Sequence, residues 1–551
     1  MGKKIGIDLG TTNTSISIAN EVYGGGVQAT PVQAIQFNGN KNPIQNVILP
    51  SNMYVDENQK EYIGLIGKEL REQFPTRVIS NSKRFIGTET IMQAGGKKYK
   101  SKDVAEHILN ACRKSIERYG FNNEEDVITI TVPASFNVDQ VKDTIDAANN
   151  VGFNKVNIIP EPTAALIDFI NSERAVIESE RRIDFSKKKR IMVFDLGGGT
   201  CDVSVIEVFE EGRKLDFSEI AIGRYDELGG VDFDIMAAKH LLKLFCKERN
   251  VDFKSLDEDQ KRRMVDQLKI FSEKAKENIS GNIELGFGDD IPYEQYIMNF
   301  YNGEDVYFKI DRKEYDEATK SLYKKAEKII SYDDLKKSKN IVDPILNTLR
   351  DYDISTSSID FVFLTGGMSK YETVKKKLME IMKIDETRII VSPYPLESVS
   401  RGAAIYQYYD TTINELKNRT VNHKINDSNL EKLKEPETKI DITKVMASAV
   451  MVDVSEGLPV TLIEANEKVP CNNVIYGKLK TTSPSGITIN IYEGKDCNDW
   501  KMKLQNNRKV LFKNPVEIGT PIDIQYNIDE NKYLTMSVKV KDEVIKIEQN
   551  M

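Results

Sequence analysis

The sequence predicts an α/β domain built from two related halves, followed by an all-β domain. A short apolar strand that ends in Asp-Leu-Gly occurs twice in the first part of the chain, whereas apolar and polar residues alternate in the last part. A polar stretch separates the two parts. With 551 residues, the chain exceeds the usual size of a single core. We therefore predict an α/β domain over 1–410, a connector over 411–445 and a β-domain over 446–551.

The composition is that of an ordinary globular protein, with 40% hydrophobic and 29% charged residues. The net charge of -8 argues against a general attraction to nucleic acid or to an anionic membrane. The five cysteines lack metal-ligand spacing and do not suggest a disulfide framework. No secretion signal precedes Ile5, and no apolar run reaches the roughly 18 residues of a membrane span. We expect a cytoplasmic protein with neither nucleic acid nor membrane as a partner.

An internal repeat is the most informative pattern of the first domain. The segments Ile5–Thr12 and Met192–Thr200 each contain an apolar strand, an aspartate, and a turn with glycine and threonine. Alternating residues resume over Ser15–Ala19 and Val203–Val208, which predicts two hairpins. Each turn alone is also typical of an ordinary tight turn. Because two copies carry the same residue types, we predict two related halves whose turns grip one ligand.

The residue types in the two turns suit a phosphate ligand. Glycine lets backbone N–H groups approach an anion, and threonine adds hydroxyl donors. Asp8 and Asp195 end the two strands and supply the hard oxygen ligands that magnesium prefers. The pattern Gly-x-x-x-x-Gly-Lys-Ser/Thr does not occur, which excludes a P-loop enzyme. These features predict a polyphosphate and its magnesium ion between the turns.

A third glycine-containing turn follows the apolar strand Phe361–Thr365. The turn Gly366–Ser369 leads into a predicted helix over 371–382. Considered alone, this is an ordinary strand-to-helix turn. As a third wall of the same site, it leaves room for a nucleoside while the hairpins hold phosphates.

Four segments together carry a family resemblance: Gly6–Asn13, Glu161–Ala165, Phe194–Thr200 and Gly402–Ala404. In combination they resemble the DnaK-type chaperones of the heat-shock seventy-kilodalton family. The resemblance extends from Lys3 to about Gln549. It implies an actin-like ATPase domain with two lobes, followed by a β-sandwich that holds extended peptides. The implied ligands are ATP or ADP with magnesium, and potassium is a further candidate.

The resemblance assigns ligand contacts to the two hairpin turns. Asp8 and Asp195 would place magnesium through water, and Asp202 would complete the polar cluster, although it also suits the start of a returning strand. The implied phosphate contacts are Gly10, Thr11, Thr12, Asn13, Gly197, Gly198, Gly199 and Thr200.

Two further segments complete the implied catalytic set of Lys83, Glu161, Asp195 and Thr200. Lys83 matches the catalytic lysine of the family, and Glu161 matches a carboxylate near the attacking water. A cation stabilises charge that develops on the terminal phosphate and a carboxylate orients water, so positioning and electrostatics promote phosphoryl transfer. Pro133 matches the proline that couples nucleotide state to domain rotation, although it also suits a simple strand end.

The resemblance places the adenosine between a helix and the third turn. Glu273, Lys276 and Ser280 match the family's helix over the base and ribose, and their spacing puts them on one helical face. A solvated charged face would explain the same spacing. The opposite wall would consist of Gly366, Gly367 and Lys370, where Lys370 occupies a position at which the family commonly has arginine.

Period-2 alternation predicts an antiparallel β-domain in the last part of the chain, over 487–491, 522–528 and 534–540. By resemblance, this domain would hold an extended peptide through backbone hydrogen bonds and apolar pockets. The candidate pocket residues are Val450, Val452, Ile487 and Ile489. A plain sandwich core would explain the same four residues.

The β-domain departs from the family at several positions. The chain ends at Met551, soon after the last predicted strand, so we expect no helical lid and fast release of peptide. Ser455 and Lys480 replace apolar side chains that arch over the peptide, and Gly477 replaces a residue that is usually aromatic. These replacements reduce the expected selectivity for apolar peptides.

The coupling elements of the family are also altered. The linker is reduced to Ile440–Lys444 after a longer connector, which predicts weak coupling between the domains. Arginines that transmit the nucleotide signal and contact J-domain helpers are replaced by Val141 and Asn157. A J-domain co-chaperone and a nucleotide-exchange factor therefore remain candidate partners only.

These observations lead to one principal hypothesis and two alternatives. The principal hypothesis is a molecular chaperone that hydrolyses ATP and binds unfolded or extended polypeptides in a nucleotide-dependent way. The first alternative is a nucleotide-binding adaptor or exchange-factor-like protein without a client-folding cycle. The second is a small-molecule kinase on the same actin-like fold, which is less favoured because a β-domain follows the predicted ATPase.

Overall fold

The computed structural model contains two α/β lobes and a β-sandwich. It describes residues 2–22, 26–176, 180–212, 214–223, 228–288, 291–326, 339–422, 439–454, 458–499 and 502–547. Among these residues, no helix is long and apolar enough to cross a membrane.

The first lobe is organised around a six-stranded sheet in the order β13-β12-β1-β2-β3, with β6 paired to β2. Three smaller sheets, β4-β5, β8-β7-β9 and β10-β11, flank it. Its strands and helices are β1 (Lys4–Leu9), β2 (Asn13–Glu21), β3 (Val27–Pro31), β4 (Ala34–Phe37), β5 (Pro43–Asn46), β6 (Ile48–Pro50), β7 (Met53–Val55), β8 (Glu61–Ile63), α1 (Leu65–Leu70), β9 (Val78–Ile79), β10 (Met92–Ala94), β11 (Lys97–Tyr99), α2 (Ser101–Glu117), β12 (Val127–Val132), α3 (Val138–Asn150), β13 (Val156–Pro160) and α4 (Glu161–Arg174).

The second lobe has a central sheet in the order β20-β19-β14-β15-β16 and a separate hairpin, β17-β18. Its elements are β14 (Lys189–Leu196), β15 (Cys201–Glu211), β16 (Lys214–Ile222), α5 (Gly230–Glu248), α6 (Glu258–Glu284), β17 (Tyr293–Tyr301), β18 (Glu304–Ile310), α7 (Arg312–Thr319), α8 (Val342–Asp351), β19 (Phe361–Thr365), α9 (Glu372–Met382), β20 (Ile389–Val391) and α10 (Ser398–Asn422).

The two central sheets have the same topology, which confirms the predicted relationship between the halves. In the first lobe, β1 pairs in parallel with β12 and in an antiparallel manner with β2. In the second lobe, β14 pairs in parallel with β19 and in an antiparallel manner with β15. Both repeated segments are therefore hairpins whose turns lie at equivalent positions of related sheets.

Close backbone contacts fix helix α10 against strand β1 and helix α4 of the first lobe. A Cβ atom added at Gly6 on β1 would lie 2.1 Å from the carbonyl oxygen of Ser400 on α10. A Cβ atom added at Gly402 would lie 1.7 Å from the carbonyl oxygen of Ala164 on α4. Only glycine fits at these positions, so the Glu161–Ala165 and Gly402–Ala404 motifs meet in one helix contact. This contact involves the first turn of α4, the helix that begins with Glu161.

The β-domain consists of two four-stranded antiparallel sheets, β23-β22-β26-β27 and β25-β28-β29-β30, packed on a shared apolar core. This arrangement agrees with the predicted alternation. The elements from the linker onward are β21 (Lys439–Val445), β22 (Ala449–Asp453), β23 (Val460–Ile463), β24 (Lys468–Val469), β25 (Cys471–Lys480), β26 (Gly486–Gly494), β27 (Lys503–Leu511), β28 (Pro521–Ile528), β29 (Leu534–Val540) and β30 (Glu543–Ile547).

The segment between the domains differs from a simple connector. Helix α10 continues beyond residue 410 to Asn422, and residues 423–438 lie outside the described part. The linker residues Ile440–Lys444 form strand β21, which pairs in parallel with β16 and in an antiparallel manner with β24. One strand thus belongs to the sheet of the second lobe and also contacts the β-domain.

The four predicted peptide-pocket residues lie in the interior of the β-domain. Val450, Val452, Ile487 and Ile489 are at most 5% exposed and belong to its apolar core. Their surroundings match the sandwich-core alternative. Gly477 and Lys480 are exposed on β25, and Ser455 lies outside the described residues. The absence of a helical lid stays a prediction.

Candidate functional site

The turns of the two repeated hairpins approach each other closely across the cleft between the lobes. A Cβ atom added at Gly198 would lie 1.8 Å from Thr12 Oγ1, and one added at Gly199 would lie 2.5 Å from Thr11 Cγ2. Real Cβ atoms do not come so close to other heavy atoms, so these glycines allow the two turns to meet. The repeat therefore places two sets of backbone N–H groups and hydroxyls on opposite sides of one space.

That space is a cavity of about 590 Å³, a size typical of small-molecule sites. Of the predicted ATPase-site residues, all line the cavity except Gly199 and Asp202, which are absent from its described walls. The predicted residues in the walls are Asp8, Gly10, Thr11, Thr12, Asn13, Lys83, Glu161, Asp195, Gly197, Gly198, Thr200, Glu273, Lys276, Ser280, Gly366, Gly367 and Lys370.

Gly199 and Asp202 have supporting positions next to the cavity. Gly199 packs against Thr11 and lies so close to Gly229 that a Cβ on Gly229 would be 2.5 Å from its nitrogen. Asp202 is buried on β15, directly opposite Asp195 on β14, and accepts a hydrogen bond from Ser135 at 2.6 Å. Its negative charge still raises the pKa of Asp195.

A buried ion pair occupies one wall of the cavity. Lys83 lies in a short helical turn, Ser82–Phe85, and its Nζ atom is 2.5 Å from Glu161 Oε1. Both side chains are less than 10% exposed. Glu161 is the first residue of α4, where Pro162 suits the helix start and the helix dipole favours a negative charge. Lys83 and Glu161 are therefore held at the cavity by separate, well-defined elements.

The cavity contains more buried carboxylates than cations near the two turns. Burial and the neighbouring charge of Glu161 together raise the pKa of Asp8 to about 7, although Lys83 opposes this shift. Burial, with Glu161, Asp202 and Asp8, also raises the pKa of Asp195 well above its usual range. Such a cluster is stabilised by a bound cation, because the cation favours the ionised carboxylates.

The donor set fits magnesium that is only partly coordinated by the protein. Among the described residues, no group of three His, Cys, Asp or Glu side chains could hold a metal ion alone. Magnesium commonly binds through one or two carboxylates, with water and substrate phosphates as the other ligands. Asp8 and Asp195 would hold such an ion, which when bound would neutralise phosphate charge.

Helix α6 forms the opposite end of the cavity. Glu273, Lys276 and Ser280 all line it, as their shared helical face predicts. The Nζ atom of Lys276 lies 2.8 Å from Asp234 Oδ2 on α5. Across the cleft, Arg71 contacts Glu273 at 2.5 Å, which joins the first lobe to the second. The charged face of α6 is thus engaged in specific pairs at the cavity.

The third turn completes the wall and requires glycine at one position. Gly366 has φ +80, and a Cβ atom there would lie 2.4 Å from Asp195 Oδ1. This close approach brings the third turn against the second hairpin. Lys370 extends from the same turn to Glu284 on α6, with Nζ and Oε1 separated by 3.1 Å. An ion pair therefore lies where α6 and the third turn meet.

Several residues of the site were not predicted from the sequence. Arg71, Asp234 and Tyr371 line the cavity, but none of them belongs to the repeated motif. Asp234 lies four residues after Gly230, and Tyr371 lies two residues after the third turn, so each follows a glycine signal in the sequence. Arg71 carries no local signal, because its role depends on contacts between distant segments.

Pro133 lies apart from the cavity, at the contact between the domains. It borders a small space together with Lys444 of the linker and with Asn531 and Lys532 at the tip of the β28–β29 hairpin. The backbone N–H of Ile158 donates to Asn531 Oδ1 at 3.0 Å in the same region. This proline therefore lies next to the linker and the β-domain.

A second group of contacts joins the β-domain to helix α3 of the first lobe. Asp139 forms an ion pair with Arg508 at 3.1 Å, and Asn137 donates to Gln505 at 2.9 Å. Val138 packs in the apolar core of the β-domain. The β-domain is thus docked on the same lobe that supplies the first hairpin turn.

Comparison with protein families gives a match that covers nearly the whole chain. Residues 4–551 match the family model described as Hsp70 protein. The match includes both lobes with the cavity between them, the linker strand and the β-domain.

Proposed function

Because the chain belongs to the Hsp70 family, we propose that it is a chaperone that binds and hydrolyses ATP and binds extended polypeptides in a nucleotide-dependent way. Members of this family are ATPases that bind ATP or ADP with magnesium. Two related lobes, a β-sandwich and the match over residues 4–551 support the assignment of the same general activity to this chain.

One observation carries the ATPase part of the proposal. The turns at Gly10–Asn13 and Gly197–Thr200 come from different lobes yet line one cavity, together with Asp8 and Asp195. Backbone N–H groups and threonine hydroxyls on both sides would hold the phosphates. The far end, at Glu273, Lys276 and Ser280, would then receive the nucleoside.

The Lys83–Glu161 pair supplies groups suited to hydrolysis. A lysine beside the terminal phosphate stabilises the charge that develops in the transition state, and a carboxylate orients the attacking water. Asp195 and Thr200 would align magnesium and phosphate from the second lobe. These residues bind and orient; the bound magnesium ion would add neutralisation of phosphate charge.

The linker and the docked β-domain support nucleotide-dependent peptide binding. Strand β21 extends the sheet that contains the β14–β15 hairpin, and Lys444 contacts both the first lobe and the β-domain. A change in the angle between the lobes would therefore alter this contact. We propose extended polypeptides as partners.

Val141 is buried and Asn157 donates to Gln407, so a J-domain partner would need contacts other than arginines at these positions.

Calorimetry and single-turnover kinetics test the proposal in two steps. Titration of the purified full chain with ATP and magnesium should give saturable binding. Single-turnover hydrolysis should then change when extended peptides are added, in a panel that includes apolar and polar sequences. An absence of ATP binding would refute the proposal at its first step, whereas binding without any response to peptides would refute the chaperone cycle.

The burial of the peptide-pocket candidates favours a second function. The side chains of four candidate residues are buried in the apolar core of the docked β-domain, where a peptide would not reach them: Val450, Val452, Ile487 and Ile489. A nucleotide-binding adaptor or exchange-factor-like protein would need no such pocket. It would bind ATP and associate with a folded partner. Its rate of hydrolysis would not change when peptides are added, and the same kinetics would reveal this.

A further inference from the structure

A buried chain of polar groups leads from the cavity into the second lobe. Lys276, on the cavity wall, contacts Asp234 Oδ2 at 2.8 Å and donates to the backbone oxygen of Gly230 at 3.1 Å. The other carboxylate oxygen, Asp234 Oδ1, accepts a hydrogen bond from the hydroxyl of Tyr315 at 3.2 Å. Each oxygen of this buried carboxylate therefore has its own donor, one from α6 and one from α7.

Tyr315 lies behind the cavity and takes no part in its walls, as far as the structure describes them. Its side chain is fully buried, and its ring lies 5.7 Å from that of Tyr371, which does line the cavity. The next residue, Asp316, accepts hydrogen bonds from Tyr371 and Thr373 at 2.9 and 2.8 Å. Two consecutive residues of α7 thus support two different walls of the cavity.

We propose that Tyr315 is a positioning residue for nucleotide binding: through Asp234 it holds Lys276 on the wall that receives the nucleoside. This inference rests on the proposed nucleotide site. The hydroxyl fixes one carboxylate oxygen, so the other stays directed at the Lys276 ammonium. Without this hydrogen bond, the carboxylate is free to rotate and Lys276 gains conformations that point away from the nucleoside.

The charges around Asp234 make this support necessary. Burial, together with the charge of Glu273 on α6, raises the pKa of Asp234 to about 6. Lys276 on α6 and the Tyr315 hydroxyl on α7 oppose this shift, because both stabilise the ionised form. The pKa of Tyr315 lies well above its usual range because of its burial, so its hydroxyl remains a donor. Loss of that donor would raise the pKa of Asp234.

The test is a titration of the full chain with magnesium and ADP, a ligand that avoids turnover. At pH 7.5, Tyr315→Phe should weaken ADP binding by roughly three- to tenfold, the usual net contribution of one hydrogen bond, because the effect reaches the ligand only through Asp234 and Lys276. Tyr323→Phe is the matched control, since it removes another buried tyrosine hydroxyl of the same apolar core, and this hydroxyl makes no hydrogen bond to Asp234 in the described structure. It should change ADP affinity by less than about twofold.

Two further measurements separate positioning from a general structural effect. In an Asp234→Asn background, Tyr315→Phe should have little additional effect, because the two changes act on one contact. In the wild type, ADP affinity should fall as the pH drops through about 6, and Tyr315→Phe should move this fall to a higher pH. A purely structural defect would leave the pH midpoint unchanged.

The outcomes distinguish the inference from the function on which it rests. If the wild type does not bind ADP, the proposed nucleotide site is wrong. If the wild type binds ADP but Tyr315→Phe binds equally well, or if its effect is the same with Asp234→Asn present, the role of Tyr315 is overturned and the nucleotide site stands. Thermal unfolding of each ligand-free variant checks that all of them are folded.

Discussion

Lys83 in the cleft and Lys444 at the contact between the domains are both buried lysines, yet their partners differ. Lys83 contacts the carboxylate of Glu161. The Nζ atom of Lys444 donates instead to two backbone oxygens, of Ile158 in the first lobe at 2.8 Å and of Glu530 in the β-domain at 2.9 Å. One lysine has a full negative charge beside it, whereas the partners of the other within the described residues are backbone dipoles.

The difference shows how each region is stabilised. In the cleft, carboxylates are in excess, so a ligand that brings magnesium relieves their repulsion. At the domain contact, burial lowers the pKa of Lys444 to about 8 and also lowers the pKa of the nearby Lys532, whose ammonium is 3.9 Å from Glu219. The desolvation cost of this buried charge is removed when the domains separate and Lys444 returns to water. A bound cation would thus stabilise the cleft, whereas the burial of charge opposes domain docking.

The largest expected effect concerns the lysine of the cleft. Lys83→Ala should lower the rate of ATP hydrolysis by about 10²-fold or more while ATP remains bound, because a donor to the transition-state charge is lost. Single-turnover kinetics and calorimetry measure the two quantities. Lys97→Ala is the control, since it removes another lysine–carboxylate pair of the first lobe, with Glu61, outside the cleft. Unchanged turnover in Lys83→Ala would remove Lys83 from the catalytic set.

A change at the facing turns tests whether the two turns meet as the structure shows. Gly198→Ala should weaken ADP binding by about tenfold or more, because the new methyl group overlaps Thr12 Oγ1 and overpacking commonly costs 1–3 kcal/mol. Gly197→Ala is the matched neighbour, since its methyl group would meet Thr200 Oγ1 at an ordinary 3.6 Å. Calorimetry should show a smaller loss for Gly197→Ala. Equal losses would mean that the two turns do not meet.

The lysine of the domain contact predicts an unusual pH dependence. The pKa of Lys444 is lowered from 10.5 to about 8 in the docked state. The free-energy penalty for burying its charge is therefore complete below pH 8, and it decreases as the pH rises from 8 to 10.5. Docking should therefore strengthen by about tenfold between pH 7 and pH 9. Hydrogen exchange of the β21 amides, corrected for the intrinsic rate at each pH, measures this change.

Lys444→Met is the variant that isolates this effect. It removes the titrating group but keeps a long side chain, so most of the pH dependence should vanish, with a remainder from Lys532. An equally steep pH dependence in Lys444→Met would assign the effect to other groups and would contradict the comparison of the two lysines.

The smallest expected effect concerns the ion pair at the edge of the domain contact. Arg508→Ala should weaken docking about threefold, as the pair with Asp139 is mostly but not fully buried. Lys142→Ala is the control, because its pair with Asp146 lies within the same helix α3 and does not cross the contact. The same hydrogen-exchange measurement applies. Equal effects of the two variants would show that the helix, and not the domain contact, is being changed.

The sequence predicted those features that depend on short-range patterns. The repeated turns, with Asp8 and Asp195 at their strand ends, indicated two related hairpins, and the structure confirms both. The spacing of Glu273, Lys276 and Ser280 indicated a shared face of one helix. Alternating residues indicated the β-domain. In each case, the local order of residue types determines the backbone and the direction of the side chains.

Features that depend on contacts between distant segments could not be predicted in this way. Asp234 contacts both Lys276 and Tyr315 only after three helices have packed together. Lys444 was predicted only as the last residue of the linker, whereas it lies buried between two domains. The linker was expected to couple the domains weakly, which stays a prediction; the structure shows that it is paired with a strand on each side. Length alone did not reveal these strand partners.

Strand β21 also limits how the β-domain could move without detaching. Its side chains alternate between two faces, so a slip of one residue along β16 would turn Lys444 away from Ile158 and Glu530. The smallest slip that preserves the faces is two residues, or about 7 Å of travel. Small rotations of the lobes cannot be absorbed by gradual sliding of this strand. A rotation of the lobe therefore either moves the β-domain with it or breaks the pairing of β21 with β16.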